Sequence, residues 1–305
     1  MRARLVLTAA AALAALAPAA HAAFPGKNGL IAFEKGKRGL NDIWVMSPNG
    51  GKPRDVTATR KAAENFASFA PNGRTLTFIW FSAAIPSQQK NGIGIVNSDG
   101  SGYRRLTSAP SDSVSYFNPR FTADGKTIVF WKSRPSMNGL DSSVWSMPAK
   151  GGAERQLTSG PDCCALPSPD GRHLAYVHTD ENQPEAALMI ADPNGANPVQ
   201  VSTHYPSDWA PDGSRFILEG PGNDVFTFNA DGSNFARLVG QPTHDETPVF
   251  SPDGHFVVWT NEATHDLWIA RSDGSAARNL SHTPGFEKDP SWGPAAKAKK
   301  KKRKH

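Results

Sequence analysis

The chain has 305 residues, 38% of them hydrophobic and 20% charged, with a formal net charge of +5. Nine of its cations lie at the two ends (Arg2, Arg4, Lys297, Lys299, Lys300, Lys301, Lys302, Arg303 and Lys304). Neither end holds an Asp or Glu, so the basic character belongs to the ends and the body is mildly acidic. Composition and motifs argue against several classes: no internal stretch approaches the roughly 18 apolar residues of a spanning helix, and no P-loop, dinucleotide fingerprint, zinc-finger spacing or Gly-x-Ser-x-Gly elbow occurs.

Residues 1–22 read as an export signal. Arg2 and Arg4 open it, an apolar run follows from Leu5 to Ala17, and Ala20-His21-Ala22 is a small-x-small cleavage site. The expected mature chain starts at Ala23 or Phe24 and is secreted or resides in the periplasm or cell envelope. Residues 23–294 are then ample for one large domain. Frequent Gly and Pro, without helical periodicity, point to many short strands and tight turns.

The clearest repeated stretch is residues 247–259, a strand, the turn Ser251-Pro252-Asp253-Gly254, and a second strand. Pro252 presets the turn, Asp253 tolerates a bent backbone, and Gly254 takes a conformation a Cβ resists. Equivalent turns end at Gly73, Gly125, Gly171 and Gly213, and Asp289-Pro290-Ser291-Trp292 is a decayed last copy. The spacing of about 40 to 52 residues is that of propeller blades or solenoid turns. A second hairpin interleaves with the first, from Ile43-Trp44-Val45-Met46 before Gly50 to Leu267-Trp268-Ile269-Ala270 before Gly274.

Two hairpins per repeat predict a four-stranded antiparallel sheet with strands A to D. Six such sheets predict an all-β, six-bladed β-propeller. The first repeat lacks strand A and the last is followed by a spare one, so a C-terminal inner strand is expected to complete blade one. The A–B and C–D turns fall on one face and the B–C and D–A loops on the other, the longest being the predicted B–C loops at residues 81–91 and 132–142.

The pattern Pro-x-aromatic-Ser-Pro-Asp-Gly, followed by an Ile-Trp-Val-Met-like strand, Asp-Gly and Leu-Thr, resembles the WD40-like repeat of TolB-type propellers (PD40). The resemblance covers nearly the whole mature chain. It implies fold more than function, because similar repeats occur in the TolB translocation protein, in propeller domains of prolyl-oligopeptidase-like enzymes and in oligogalacturonate lyases. This chain departs from TolB in showing no N-terminal α/β domain ahead of blade one, so no partner contacts are carried over from it.

Counting nine residues back from each turn glycine gives Glu64, Tyr116, Asp162, His204 and Asp245, with Glu287 equivalent in the closing strand. Strand parity places this column around one mouth of the channel, as a candidate ligand site. Its carboxylates suit a hard cation such as Ca²⁺ or a partner's cationic group, with Asp162, His204 and Asp245 as candidate metal ligands. The competing reading is that an acidic residue here belongs to the repeat and accepts hydrogen bonds inside the scaffold. His204, His244 and His282, on successive D–A connections, are either a transition-metal set or exposed loop histidines. The repeated aromatics (Trp44, Phe69, Trp145, Trp209, Trp259 and others) read as core packing, with Trp80 and Phe81 the exception that could face a ligand.

The adjacent Cys163 and Cys164 are open to two readings, a strained vicinal disulfide or two buried free thiols. The block Lys299, Lys300, Lys301, Lys302, Arg303 and Lys304, in a tail spanning residues 295–305, is expected not to fold alone. It suits polyanions by a sequence-blind contact; the other reading is a solubilising end. The expected function is a non-enzymatic, monomeric propeller scaffold without a resident cofactor, presenting its B–C/D–A face to a protein or cell-envelope ligand. The alternative is a metal-dependent lyase or hydrolase acting on an acidic polysaccharide.

Overall fold

The computed structural model describes residues 24–37, 40–59, 62–82, 90–108, 114–136, 139–179, 185–240 and 244–296. The export signal, the lysine-rich block at residues 299–304 and most of the loop at residues 81–91 lie outside the described residues.

Six four-stranded antiparallel sheets make up the described residues, five from consecutive strands and one joining the last strand to the first three. Blade one holds β1 (Asn28–Lys37), β2 (Leu40–Met46) and β3 (Arg54–Asp55); blade two holds β4 (Ala62–Phe69), β5 (Thr75–Ser82), β6 (Asn91–Asn97) and β7 (Arg104–Arg105). Blade three holds β8 (Ser115–Phe121), β9 (Thr127–Ser136), β10 (Gly139–Pro148) and β11 (Arg155–Gln156). Blade four holds β12 (Asp162–Pro167), β13 (Leu174–His178), β14 (Ala187–Ala191) and β15 (Val199–Ser202). Blade five holds β16 (Asp208–Trp209), β17 (Arg215–Glu219), β18 (Val225–Asn229) and β19 (Ala236–Val239). Blade six holds β20 (Asp245–Phe250), β21 (Phe256–Asn261), β22 (Asp266–Arg271) and β23 (Arg278–Asn279). The last strand, β24 (Phe286–Pro294), pairs with β1 and supplies the missing inner strand of blade one, Ile31 opposite Trp292 and Lys35 opposite Glu287. The fold is a closed six-bladed propeller.

Each turn is built as its sequence dictates. At Ser251–Gly254 the glycine amide donates to the Ser251 carbonyl at 2.9 Å, and Gly254 has φ 73°. The Asp253 carboxylate accepts from Ser251 Oγ at 2.7 Å and from the His255 amide at 2.9 Å, which ties the turn to the next strand.

The core is divided among the blade interfaces because every strand is covered on both faces. In β21, Val257 and Trp259 pack toward blade five while Val258 packs toward blade one. This alternation is why the strands read as unbroken apolar runs. The last interface joins Val249 and Leu267 of blade six to Ile31, Phe33 and Trp292 of blade one, so the ring closes on a continuous apolar cluster.

One predicted loop is a strand pair instead. Residues 132–142 largely extend the β9–β10 hairpin, with Lys132 opposite Ser143, Ser133 opposite Ser142 and Arg134 opposite Asp141. Their polarity had suggested a loop. They are polar because this end of the hairpin projects beyond the blade interfaces, where no core asks for apolar side chains.

Candidate ligand site at the channel mouth

The inner strands are not regular. Each long one carries a bulge: between Asn65 and Ser68, Phe117 and Arg120, Cys163 and Leu166, Glu246 and Val249, and between Lys288 and Ser291 of the closing strand. At each bulge one residue adopts a left-handed conformation: Phe66 (φ 56°), Asn118 (φ 42°), Cys164 (φ 58°), Thr247 (φ 48°) and Asp289 (φ 52°). A left-handed β-branched residue such as Thr247 is costly, and its occurrence at this repeated position marks the bulge as a feature of the repeat.

The bulge breaks period-two alternation, and this decides what faces the axis. The channel is lined by two layers. Phe66, Asn118, Cys164, Pro206, Thr247 and Asp289, seven residues before each turn glycine or its equivalent, line a funnel of about 320 Å³ on the B–C/D–A face. Ser68, Arg120, Leu166, Asp208, Val249 and Ser291, five residues before it, form the waist below, where Phe24 reduces the free volume to about 50 Å³. The channel is therefore a cup, open at the loop face and narrowed beneath.

The column nine residues before each glycine lies elsewhere. Glu64, Tyr116, Asp162, Asp245 and Glu287 are all buried. Parity across an unbulged strand would have sent them to the mouth; upstream of the bulge they turn into the blade and face the residue opposite on strand B. Glu287 pairs with Lys35 (Nζ to Oε1, 2.7 Å), and Asp162 with His178 (Nδ1 to Oδ1, 2.7 Å). Asp245 accepts from Asn261 Nδ2 at 2.8 Å, and the Lys132 ammonium lies over the Tyr116 ring at 5.7 Å. Glu64 faces Trp80 and instead accepts from Thr59 Oγ1 and Tyr103 Oη, both at 3.0 Å.

His204 is half-buried and stacks on Phe235 at 4.1 Å. His244 lies 3.4 Å from the Glu262 carboxylate, and His282 is exposed. Among the described residues no three His, Cys, Asp or Glu side chains are grouped to hold a metal. Trp80 is also not a platform at the mouth: it is buried, donates to the Thr107 carbonyl at 3.1 Å and lies under the Arg105 guanidinium at 3.9 Å.

The side chains that line the axis come from other offsets of the repeat than the one counted from the sequence. Arg120 lines both the waist and the funnel and makes no ion pair or side-chain hydrogen bond with another described residue. Burial lowers the pKa of its guanidinium, against the pull of the Asp208 and Asp289 carboxylates. Across the channel, burial pushes Asp208 up to about 6, with Arg120 and the Trp209 and Phe250 amides opposing. Glu219 and Asp289 stand in the funnel wall. Glu219 is raised by burial and then by the carboxylate of Glu262; Glu246 nearby is raised by burial, Glu262 and Glu219. The result is a cup with an acidic wall and the half-buried Arg120 guanidinium at its base, in the field of the Asp208 and Asp289 carboxylates. Reading the aligned copies seven and five residues before the glycine yields both layers from sequence.

The ring and its closing strand define a six-bladed β-propeller. The TolB beta propeller domain family matches residues 113–296, and the chain belongs to that family. A protein named TolB homologue from Chlorobium luteolum is 27% identical over 150 residues, covering 47% of this chain and 33% of the homologue. The chain thus spans about a third of that relative's length. Among solved structures, TolB from Acinetobacter baumannii superposes with a TM-score of 0.67 at 19% identity, over 87% of this chain and 67% of that one. Hydrazine synthase from Kuenenia stuttgartiensis gives 0.71 at 14% identity, over 89% and 47%. At these identities the superpositions show the shared fold alone. Among the described residues no helix is long and apolar enough to cross a membrane.

Proposed function

We propose that this chain is an exported propeller that binds a protein or cell-envelope ligand on its B–C/D–A face, in the cup at the channel mouth. The observation that carries the reading is Arg120. Its guanidinium is half-buried, forms no ion pair with a described residue, and lines both layers of the cup, where an entering group meets it. A carboxylate on the inserted part of the ligand supplies the missing partner in bidentate geometry. The acidic wall around Glu219 and Asp289 favours a neighbouring cationic group on the same ligand. Family membership supports a scaffold role, and residues 1–22 support export.

The test is site-specific photo-crosslinking in the native host. A photoreactive residue at Tyr205, on the funnel rim, is expected to give defined adducts, and one at Lys126, beside a turn on the opposite face, is not. Equal adducts at both positions, or none at Tyr205, would overturn the reading. N-terminal sequencing of the cellular protein checks export: a start at Ala23 or Phe24 supports it, and retention of residues 1–22 refutes it. A defined cleavage of uronic polymers by the purified protein would replace the scaffold reading with the enzymatic one.

A further inference from the structure

The two cysteines are adjacent in sequence, and in a regular strand their side chains would point to opposite faces. The bulge of blade four changes this. Cys164 takes φ 58°, and the two Sγ atoms come within 2.7 Å of each other. Both residues are half-buried and rest on the apolar cluster between blades four and five, while Cys164 also lines the funnel beside Tyr205. The other bulges place Phe66, Asn118, Thr247 and Asp289 at this position, so the dithiol is particular to blade four and the repeat does not require it.

We propose that Cys163 and Cys164 are a thiol–disulfide exchange site on the funnel wall, at which a small disulfide-bearing molecule converts two juxtaposed thiols into a vicinal disulfide. Cys164 is the attacking sulfur: it is the one that lines the funnel. With Cys163 as the donor in their contact, that contact lowers the Cys164 pKa and raises the Cys163 pKa, with burial adding to the second effect. Thiolate character and access together select the reactive sulfur.

The exchange balances in two steps. The Cys164 thiolate attacks one sulfur of the small disulfide, forming a mixed disulfide and expelling one thiolate. Cys163 then loses its proton to that thiolate and attacks the Cys164 sulfur, expelling the second small thiol. The two cysteines are oxidised by two electrons and the small disulfide is reduced to two thiols. Once Cys164 carries the mixed disulfide it no longer draws on the Cys163 proton, so the chief cause holding Cys163 protonated is gone. Juxtaposition makes the second step intramolecular and fast. Adjacent Cα atoms are about 3.8 Å apart, below the usual span for a disulfide, so the product is readily reduced back to the dithiol by an excess of small thiol, which is oxidised to its disulfide. The proposal does not depend on what ligand the cup binds.

The experiment uses the mature chain, fully reduced, freed of reductant and exposed to oxidised glutathione. The expected result is a mass lower by two hydrogens, loss of both alkylatable thiols, release of two glutathiones per chain and reversal by dithiothreitol. A stable glutathione adduct, a disulfide-linked dimer, or two thiols that remain alkylatable would each overturn the proposal. Cys163→Ser should stop at the mixed disulfide on Cys164, and Cys164→Ser should react roughly tenfold more slowly or worse. If Cys164→Ser reacts as fast as the parent chain, the assignment of the attacking sulfur is wrong. The wild-type thiol count decides the main point even if a variant fails to fold.

Discussion

Lys35 Nζ lies 2.7 Å from Glu287 Oε1, and this ion pair joins the first and last strands of the ring. Thr283 Oγ1 bonds both partners. The Glu287 side chain is fully buried, Lys35 is 15% exposed, and Glu287 Oε2 has no hydrogen-bond partner among the described residues. The carboxylate therefore depends on Lys35. Removing one partner of a buried pair leaves an uncompensated charge, which costs about 3–5 kcal/mol.

Lys35→Met is accordingly expected to destabilise the ring by a few kcal/mol, at the lower end of that range because Lys35 keeps some solvent contact. Lys35→Met with Glu287→Leu should recover most of the loss. Urea unfolding of the single and double variants checks this. A single variant as stable as the parent would show that the pair does not hold the closure together.

Arg120 should behave in the opposite way. Its guanidinium lies at the channel waist with no ion pair to a described residue, so Arg120→Leu removes a desolvation cost. The thermal midpoint should hold or rise, by a few degrees for about 1 kcal/mol in a domain of this size. Crosslinking from Tyr205 should fall at least tenfold, as expected for loss of a buried charged anchor. Calorimetric scans and crosslinking yields on the same preparations separate the two effects. Unchanged capture with a raised midpoint would mean that Arg120 contributes nothing to the ligand.

The contrast with surface charges is a further check. Arg134 and Asp141 form an ion pair at 2.6 Å on the projecting β9–β10 hairpin, with side chains 68% and 42% exposed. Arg134→Ala should change stability by less than about 0.5 kcal/mol, because exposed pairs are screened and entropically costly. A larger loss in urea unfolding would show that the hairpin is packed against something beyond the blade.

Much of the ring was legible because the turn is written in residues with fixed backbone roles. Pro252, Asp253 and Gly254 have few other uses in that order, so the copies, the blade count and the closing strand follow from their spacing. The site was not legible at the offset chosen. Parity is a reliable guide only along an unbroken strand, and nothing in Phe66, Cys164 or Thr247 announces a left-handed residue; only Asn118 and Asp289 are of types that favour it. Upstream of the bulges the predicted mouth residues Glu64, Asp162, Asp245 and Glu287 are buried as cross-strand pairs or blade-internal acceptors. Residues 132–142 misled for the related reason that a paired hairpin outside the core carries no apolar signature.

Buried carboxylates give the last prediction, a stability that declines with rising pH. Burial pushes Glu34 up to about 8 from an ordinary 4.5; Asp289 adds to the shift, and Lys288 and the Phe66 amide oppose it. Glu64 is pushed up to about 7 by burial, against its bonds from Thr59 and Tyr103. Asp245 and Asp208 reach about 6 from 3.8, again mainly by burial. Between the ordinary and the raised values the folded chain binds more protons than the unfolded chain, so stability falls as pH rises. The favourable contribution is present below about 4 and is lost through about 8, with each group adding at most about 1.4 kcal/mol per pH unit over its own window. Among these four carboxylates only Glu34 reaches about 8, so Glu34→Gln should flatten the curve between about 7 and 8 and reduce, without abolishing, the slope below 7. Urea midpoints measured from pH 5 to pH 8.5 test both statements. A stability that rises across this range would mean that these carboxylates fold charged, with their hydrogen bonds outweighing burial.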